Sequence, residues 1–244
     1  MRAAPALFAS DLHLTPEHPR GVARFHRFLA DIAVGAGALY LLGDVFEAWV
    51  GDDDLDAPFN AEIVTALRRL AERGVGVHFL PGNRDFLVGA AFATAGGLNL
   101  LDDPTRMDLF GVPTLLAHGD ALCTDDVAYQ AFRRQCRDPD WQRAALAKPL
   151  AERHALARAM RARSERIKAD NTPEIMDVNA EAVAGVFRAY DVRRLIHGHT
   201  HRPARHDLEV DGRIRERWVL PAWYEGGGYL YCDDRGVCDL KSLA

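Results

Sequence analysis

Ala6-Leu7-Phe8-Ala9-Ser10-Asp11-Leu12-His13 begins with four apolar residues and stops at a polar turn holding a carboxylate and an imidazole. Such a run is too short for a buried helix. It reads as a strand leaving a sheet, bounded by a turn. The pattern then returns: run 38–42 ends at Gly43-Asp44, run 75–80 at Pro81-Gly82-Asn83, and run 115–117 at His118-Gly119-Asp120. Between the runs, Phe25, Phe28, Leu29 and Ile32, and then Ile63, Leu67 and Leu70, recur at helical spacing. Strand, polar turn, helix, strand predicts an α/β sheet. In such sheets ligands collect beyond the carboxyl ends of the strands.

Farther out the character changes. Segment 120–194 has few strand signals and reads as a helical insertion within one domain spanning 1–244. The spacing predicts helices near 126–136 and 149–168. On the longer one, Leu150, Ala157 and Met160 share a side, while Arg153, Arg158, Arg161, Arg163 and Arg166 crowd the rest. That pattern suits either a solvated basic face or a cap over an anionic or lipid-bearing ligand. Strand signals resume at 195–197, and segments 206–210 and 215–220 flank Asp211-Gly212, a hairpin turn. The 244 residues are 48% apolar and 27% charged, which excludes a largely disordered chain. A net charge of −5 argues against non-specific nucleic-acid binding. No apolar run approaches the ~20 residues that span a bilayer. The first apolar run reads as a strand rather than a signal peptide. Cys123, Cys136, Cys232 and Cys238 form no C-x-x-C and are expected as reduced thiols of a cytosolic protein. Asp52–Asp54 is expected as a solvated acidic loop, and Trp49 fits either the core or a stacking role.

Five blocks carry potential metal ligands: Asp11-Leu12-His13, Gly43-Asp44, Gly82-Asn83-Arg84-Asp85, His118-Gly119-Asp120 and Gly198-His199-Thr200-His201. The donors are carboxylate, amide and imidazole, a set for hard or borderline ions such as Mn²⁺, Fe²⁺ or Zn²⁺. Seven ligands exceed the needs of one ion with open positions. They suit two ions sharing a carboxylate, roughly 3.5–4 Å apart, able to clamp a phosphoryl group and supply hydroxide near neutral pH. Each block alone is commonplace; five in order, each after a strand, are a joint signal.

This arrangement resembles the calcineurin-like metallophosphoesterases over residues 8–206. The resemblance implies a four-layer α/β/β/α sandwich with two divalent metal ions, Mn²⁺ foremost. It assigns Asp11, His13, Asp44 and His201 to one ion and Asp44, Asn83, His118 and His199 to the other, with Asp44 bridging. His197 is not a ligand in this pattern. Where many members read G-N-H-[D/E], this chain has Arg84. A guanidinium cannot usefully give up a proton but holds phosphate oxygens well. That favours a leaving group that is already a good anion, such as a phosphate with a second pKa near ~6.

The Leu42–Trp49 and Gly51–Asp54 blocks, Gly82–Leu87, Leu122–Asp126, Tyr129–Arg133, Ile175–Asn179 and Ile196–Pro203 narrow the resemblance to the family of UDP-2,3-diacylglucosamine pyrophosphohydrolases. That family implies hydrolysis of a lipid-linked UDP-sugar at its pyrophosphate, in lipid A synthesis. It implies a monomer that binds no nucleic acid and sits in the cytoplasm, peripheral on the inner-membrane surface. Catalytic residues by this resemblance are Asn83, Arg84 and His199. Substrate contacts are Asn83, Arg84, Asp126, Ser164, Lys168, Asn171 and His199. Two alternatives stand beside it: another nucleotide pyrophosphatase or phosphodiesterase of the superfamily, and a non-catalytic scaffold of the same fold. Retention of all seven ligands speaks against the second.

Overall fold

The computed structural model describes residues 3–170, 177–224 and 226–243, with backbone alone at 163 and 165–170. In the first sheet β1 (Ala6–Ala9), β2 (Ala38–Leu42), β3 (Gly76–Leu80) and β4 (Asn99–Leu100) run parallel. A hairpin of β10 (Gly228–Cys232) and β11 (Cys238–Ser242) joins β1 antiparallel, giving the order β11-β10-β1-β2-β3-β4. The second sheet holds β5 (Thr105–Leu109), β6 (Val112–Leu116), β7 (Arg194–His197), β8 (Ala204–Val210) and β9 (Arg213–Val219) in the order β5-β6-β7-β9-β8. Asp211 and Gly212 join β8 to β9 with φ of 51° and 73°, the left-handed pair that a two-residue hairpin turn requires.

Side-chain alternation sorts the strands into layers. Phe8, Tyr40, Leu42 and Leu80 point between the sheets and meet Leu109, Leu116, Ile196 and Trp218. Their neighbours Leu7, Leu39 and Leu41 point outward onto α1 (Pro19–Arg27), α2 (Pro58–Glu72) and α3 (Ala90–Gly96), through Phe25, Ile63, Leu67 and Phe92. On the far side Leu115 and Leu195 meet Val183 and Phe187 of α7 (Ala180–Tyr190). The result is the expected α/β/β/α sandwich. Each fully buried Leu or Phe contributes about 1.5–3 kcal/mol relative to exposure, so the two sheets are a firm base for the turns at their ends.

Between β6 and α7 lie α4 (Val127–Cys136), α5 (Pro139–Leu146) and α6 (Leu150–Asp170). Asp126 caps α4 by accepting the Tyr129 N–H at 2.9 Å, and Asp138 caps α5. Three expectations change. Arg153 does not belong to a solvated face: it is 4% exposed, donates to the Val50 and Lys148 carbonyls and pairs with Asp53. Nor is Asp52–Asp54 a free acidic loop. Asp52 accepts from the Trp49 indole and from the Gly89 and Phe92 amides, while Asp54 faces His154 at 3.1 Å. The third concerns sulfur. Cys232 and Cys238 are disulfide-bonded, because the β10–β11 register sets them directly opposite, a pairing that only the hairpin reveals. Cys123 and Cys136 are buried thiols outside that disulfide, their pKa values pushed up to about 12 and about 11, chiefly by burial. No helix among the described residues is long and apolar enough to cross a membrane.

Candidate metal centre

The five ligand blocks stand at strand ends, and the backbone there is bent into a conformation non-glycine residues avoid. Asp11, His13, Asp44, His199 and His201 have φ of 54°, 47°, 53°, 66° and 55°. Such residues cost on the order of 1–2 kcal/mol each, and clusters of them mark functional sites. The bends survive because neighbouring turns are stitched together: Asp11 N–H donates to Gly43 C=O at 3.0 Å, His13 N–H to Asp44 C=O at 2.9 Å, and Gly198 N–H to His118 C=O at 2.9 Å. Gly43 and Gly198 permit this approach. A Cβ on Gly43 would meet the His118 ring 2.5 Å away, and one on Gly198 would strike the Ser10 and Asp11 side chains.

The side chains converge in two overlapping groups. Ligand atoms of Asp11, His13 and His201 lie within 4.8 Å of one another, as do those of Asp11, Asp44 and His118. His201 Nε2 is 3.4 Å from Asp11 Oδ1, and His13 Nε2 is 3.9 Å from Asp44 Oδ2. His118 donates through Nδ1 to the Leu42 carbonyl at 2.9 Å, which aims Nε2 at Asn83 Oδ1, 2.9 Å away, and Asp44 Oδ1, 3.6 Å away. His199 is joined to the group by its backbone N–H, which donates to Asp11 Oδ2 at 2.8 Å, and by ring contact with His118. Asp11 Oδ1 and His13 Nε2 are buried without a hydrogen-bond partner among the described residues. Orphaned acceptors facing one another are costly in a dry interior unless a cation or proton lies between them. The donor set, oxygen and imidazole with no thiolate, fits divalent cations of the hard or borderline kind.

Electrostatics follow from the crowding. Burial disfavours charge on His118, but Asp44, Asp120 and Asp11 outweigh it and raise its pKa to about 9. Burial and the nearby His118 lower His199 to about 4. His197, fully buried, is lowered to about 3 by burial and by Arg217, which donates to its Nε2 at 3.2 Å. It is therefore neutral and engaged away from the ligand cluster. Asp85, also fully buried, takes the Gly82, Asp44 and Val45 amides at 2.7–3.2 Å and ties two ligand turns together.

A cavity of about 650 Å³ opens directly above the cluster. His13, Asp44, Asn83, Arg84, His199 and His201 form its polar end, and Trp49, Phe86, Phe132, Trp141, Leu156 and Met160 line the remainder. Asp126 and Ser164 also line it, while Asp11 and His118 are buried beneath. The Arg84 backbone N–H donates to Asp44 Oδ1 at 2.8 Å, and its buried Nε has no hydrogen-bond partner among the described residues. Trp49 packs its ring on Phe46 and Phe92, and one part borders the cavity. Lys168 lies on α6, its side chain outside the described residues, and Asn171 lies outside them altogether.

Two neighbours went unread in the sequence. Tyr224 stacks on the His13 ring, centroids 4.7 Å apart and planes 18° from parallel. Glu47, 8% exposed, sets Oε2 3.2 Å from His13 Nδ1 and pairs with Arg161 of α6 at 2.6 Å. An acidic residue three after Asp44, set between Phe46 and Ala48-Trp49, was the available signal for Glu47; nothing local announced Tyr224.

Residues 4–203 match the family model of the calcineurin-like phosphoesterases. A curated relative from Aromatoleum aromaticum, named UDP-2,3-diacylglucosamine hydrolase, is 50% identical over 231 residues, covering 95% of this chain and 94% of that one. Another of the same name, from Xanthomonas campestris pv. campestris, is 49% identical over 245 residues, covering 98% of each. At such identity over nearly the full length, the chain belongs to the calcineurin-like phosphoesterases and, among them, to the family of the UDP-2,3-diacylglucosamine hydrolases.

Proposed function

We propose that the protein hydrolyses the pyrophosphate bond of UDP-2,3-diacylglucosamine, giving UMP and 2,3-diacylglucosamine 1-phosphate, a step of lipid A biosynthesis. The observation carrying this reading is a polar ligand cluster opening into an apolar cavity large enough for lipid. A nucleotide alone would need no wall of Phe132, Trp141, Leu156 and Met160.

Asp11, His13, Asp44 and His201 would hold one divalent ion, and Asp44, Asn83, His118 and His199 the other, with Mn²⁺ the proposed metal. Bound there, two such ions supply Lewis acidity toward the pyrophosphate oxygens and the attacking water. The remaining roles belong to the chain. Arg84, its Nε unpartnered among the described residues at the cavity wall, takes phosphate oxygens and offsets charge that grows as the bond breaks. Asn83 and His199 face the same end and orient the phosphate. Asp126 and Ser164 line the cavity and are proposed substrate contacts, as are Lys168 and Asn171 by the family pattern. The apolar walls exclude water and take the acyl chains.

Within segment 120–194, helices α4, α5 and α6 then act as a lid over a single domain, while α7 belongs to the sandwich. The chain works as a monomer in the cytoplasm, peripheral on the inner membrane, where such a substrate resides. A panel of diacylated, monoacylated and deacylated UDP-glucosamine tests this reading. Release of UMP that is strongest for the diacylated compound is expected. Equal cleavage of all three would assign the site to a generic nucleotide pyrophosphatase.

A further inference from the structure

We infer that α4 braces the second of the two proposed metal subsites, with Arg133 as its positioning residue. The inference rests on the two-metal reading above. Tyr129, Arg133 and Arg137 are spaced by four and share one side of the helix. Tyr129 and Arg133 converge on one Asp120 oxygen, and Arg137 reaches the turn before Asn83. The Arg133 guanidinium donates through Nε to Asp120 at 3.0 Å and through Nη2 to Asp103 at 2.9 Å. Asp120 follows the ligand His118 by two residues, and Asp103 uses its other oxygen to accept the His118 backbone N–H at 3.1 Å. Tyr129 adds a hydroxyl donation to Asp120 at 2.6 Å. Arg137 reaches the Pro81 and Gly82 carbonyls, both at 3.0 Å, immediately before the ligand Asn83.

Asp120 is fully buried, so the network is shielded from water and geometrically specific. No hydrogen bond among the described residues joins α4 to Asp11, His13 or His201. Asp11 and His13 are set by the β1 end and its neighbouring turns. One helix therefore governs the backbone behind His118 and Asn83 and leaves the other subsite alone. Partners behind a metal ligand typically alter affinity by about 10–100-fold when removed.

Calorimetric titration of the metal-stripped full chain with Mn²⁺ separates the possibilities. Wild type binds two ions. Arg133→Gln is expected to bind one with wild-type affinity and the second about 10–100-fold more weakly. Electron paramagnetic resonance should show a coupled pair of ions giving way to an isolated one at equal loading. Arg133→Lys keeps the charge but cannot reach both carboxylates, and should recover only part of the loss. If Arg133→Gln does not fold, Arg137→Gln takes its place; it removes only the two carbonyl contacts and should weaken the same site by a few-fold. Unchanged affinity for the second ion, or equal weakening of both, overturns the inference. A wild-type chain that binds a single ion overturns the two-metal reading itself.

Discussion

The turns at the strand ends and the helices above them are built by opposite rules. In the turns, backbone bonds backbone: Asp11 with Gly43, His13 with Asp44, Gly198 with His118. The ligands they carry are almost wholly buried, Asp11 and His118 at 0% and Asp44 at 2% exposure. Helices α5 and α6 instead attach through long side chains, as with Arg153 to Asp53 and Arg161 to Glu47, and leave Leu146 and Leu156 41% and 39% exposed. Chemistry demands positions held to a fraction of an ångström, which sheets provide. Recognition of long, variable chains demands a wall that can be rebuilt without disturbing the chemistry. If this division is right, damage below abolishes turnover, and damage above shifts substrate preference.

The severest test strikes the shared carboxylate. Asp44→Asn keeps the shape and removes the charge that both proposed ions share. Turnover should fall by at least about 10³, more than ~4 kcal/mol of transition-state stabilisation. Steady-state kinetics at saturating Mn²⁺ checks it, with circular dichroism confirming the fold. A variant retaining a tenth of wild-type turnover would show that the two ion sites do not depend on one anion.

Arg84 belongs to the lower layer yet borders the cavity, so it sharpens the boundary. Arg84→Ala should lower kcat by about 10²–10³, the range for losing one preorganised donor. Arg84→His should not restore it, because the proposed leaving phosphate needs charge neutralisation and no proton. Full recovery in the His variant would make proton donation the operative role.

The same division explains what could be read from the chain before its structure. The apolar run Ala6–Ala9, stopping at Ser10-Asp11, announced strand and ligand turn together, because both are local. Helix 126–136 was legible for the same reason, and Asp126 proved to be its cap. Arg153 was misread because helical spacing cannot tell a solvated arginine from one drawn inward by Asp53, 100 residues earlier. Tyr224 stacks on His13 across more than 200 residues, and Cys232 pairs with Cys238 only once the hairpin register is known. Contacts set by topology have no local signature.

For the upper layer, removing the ligand's lipid is the cleaner perturbation. Each buried methylene contributes about 0.8 kcal/mol, so a few methylenes against Phe132, Leu156 and Met160 suffice for roughly a hundredfold. Deacylated substrate should lose about 10² in kcat/KM. Widening the cavity with Met160→Ala should cost far less, about 3–10-fold, and shift the preferred acyl length. Equal kcat/KM for acylated and deacylated substrates would remove the reason for the apolar wall.

The smallest effect is expected at Arg161, where the layers touch. Glu47 connects them: one oxygen lies 3.2 Å from His13 Nδ1, the other 2.6 Å from Arg161 of α6. The two ends of this link should answer differently. The Arg161 side chain is 40% exposed, so its pair with Glu47 is screened, and Arg161→Ala should change stability by less than about 1 kcal/mol. Its kinetic effect should be about threefold and fall on KM, since the helix borders the bound lipid while His13 keeps its carboxylate neighbour. Glu47→Gln acts on the other end. It removes the charge beside a proposed metal ligand and should lower kcat and Mn²⁺ affinity by about tenfold, the lower range for such partners. Thermal denaturation, metal titration and kinetics on both variants, measured side by side, decide the point. Should Arg161→Ala depress kcat as deeply as Glu47→Gln, the link would transmit from lid to ligand, and the helices would belong to the catalytic apparatus rather than standing over it.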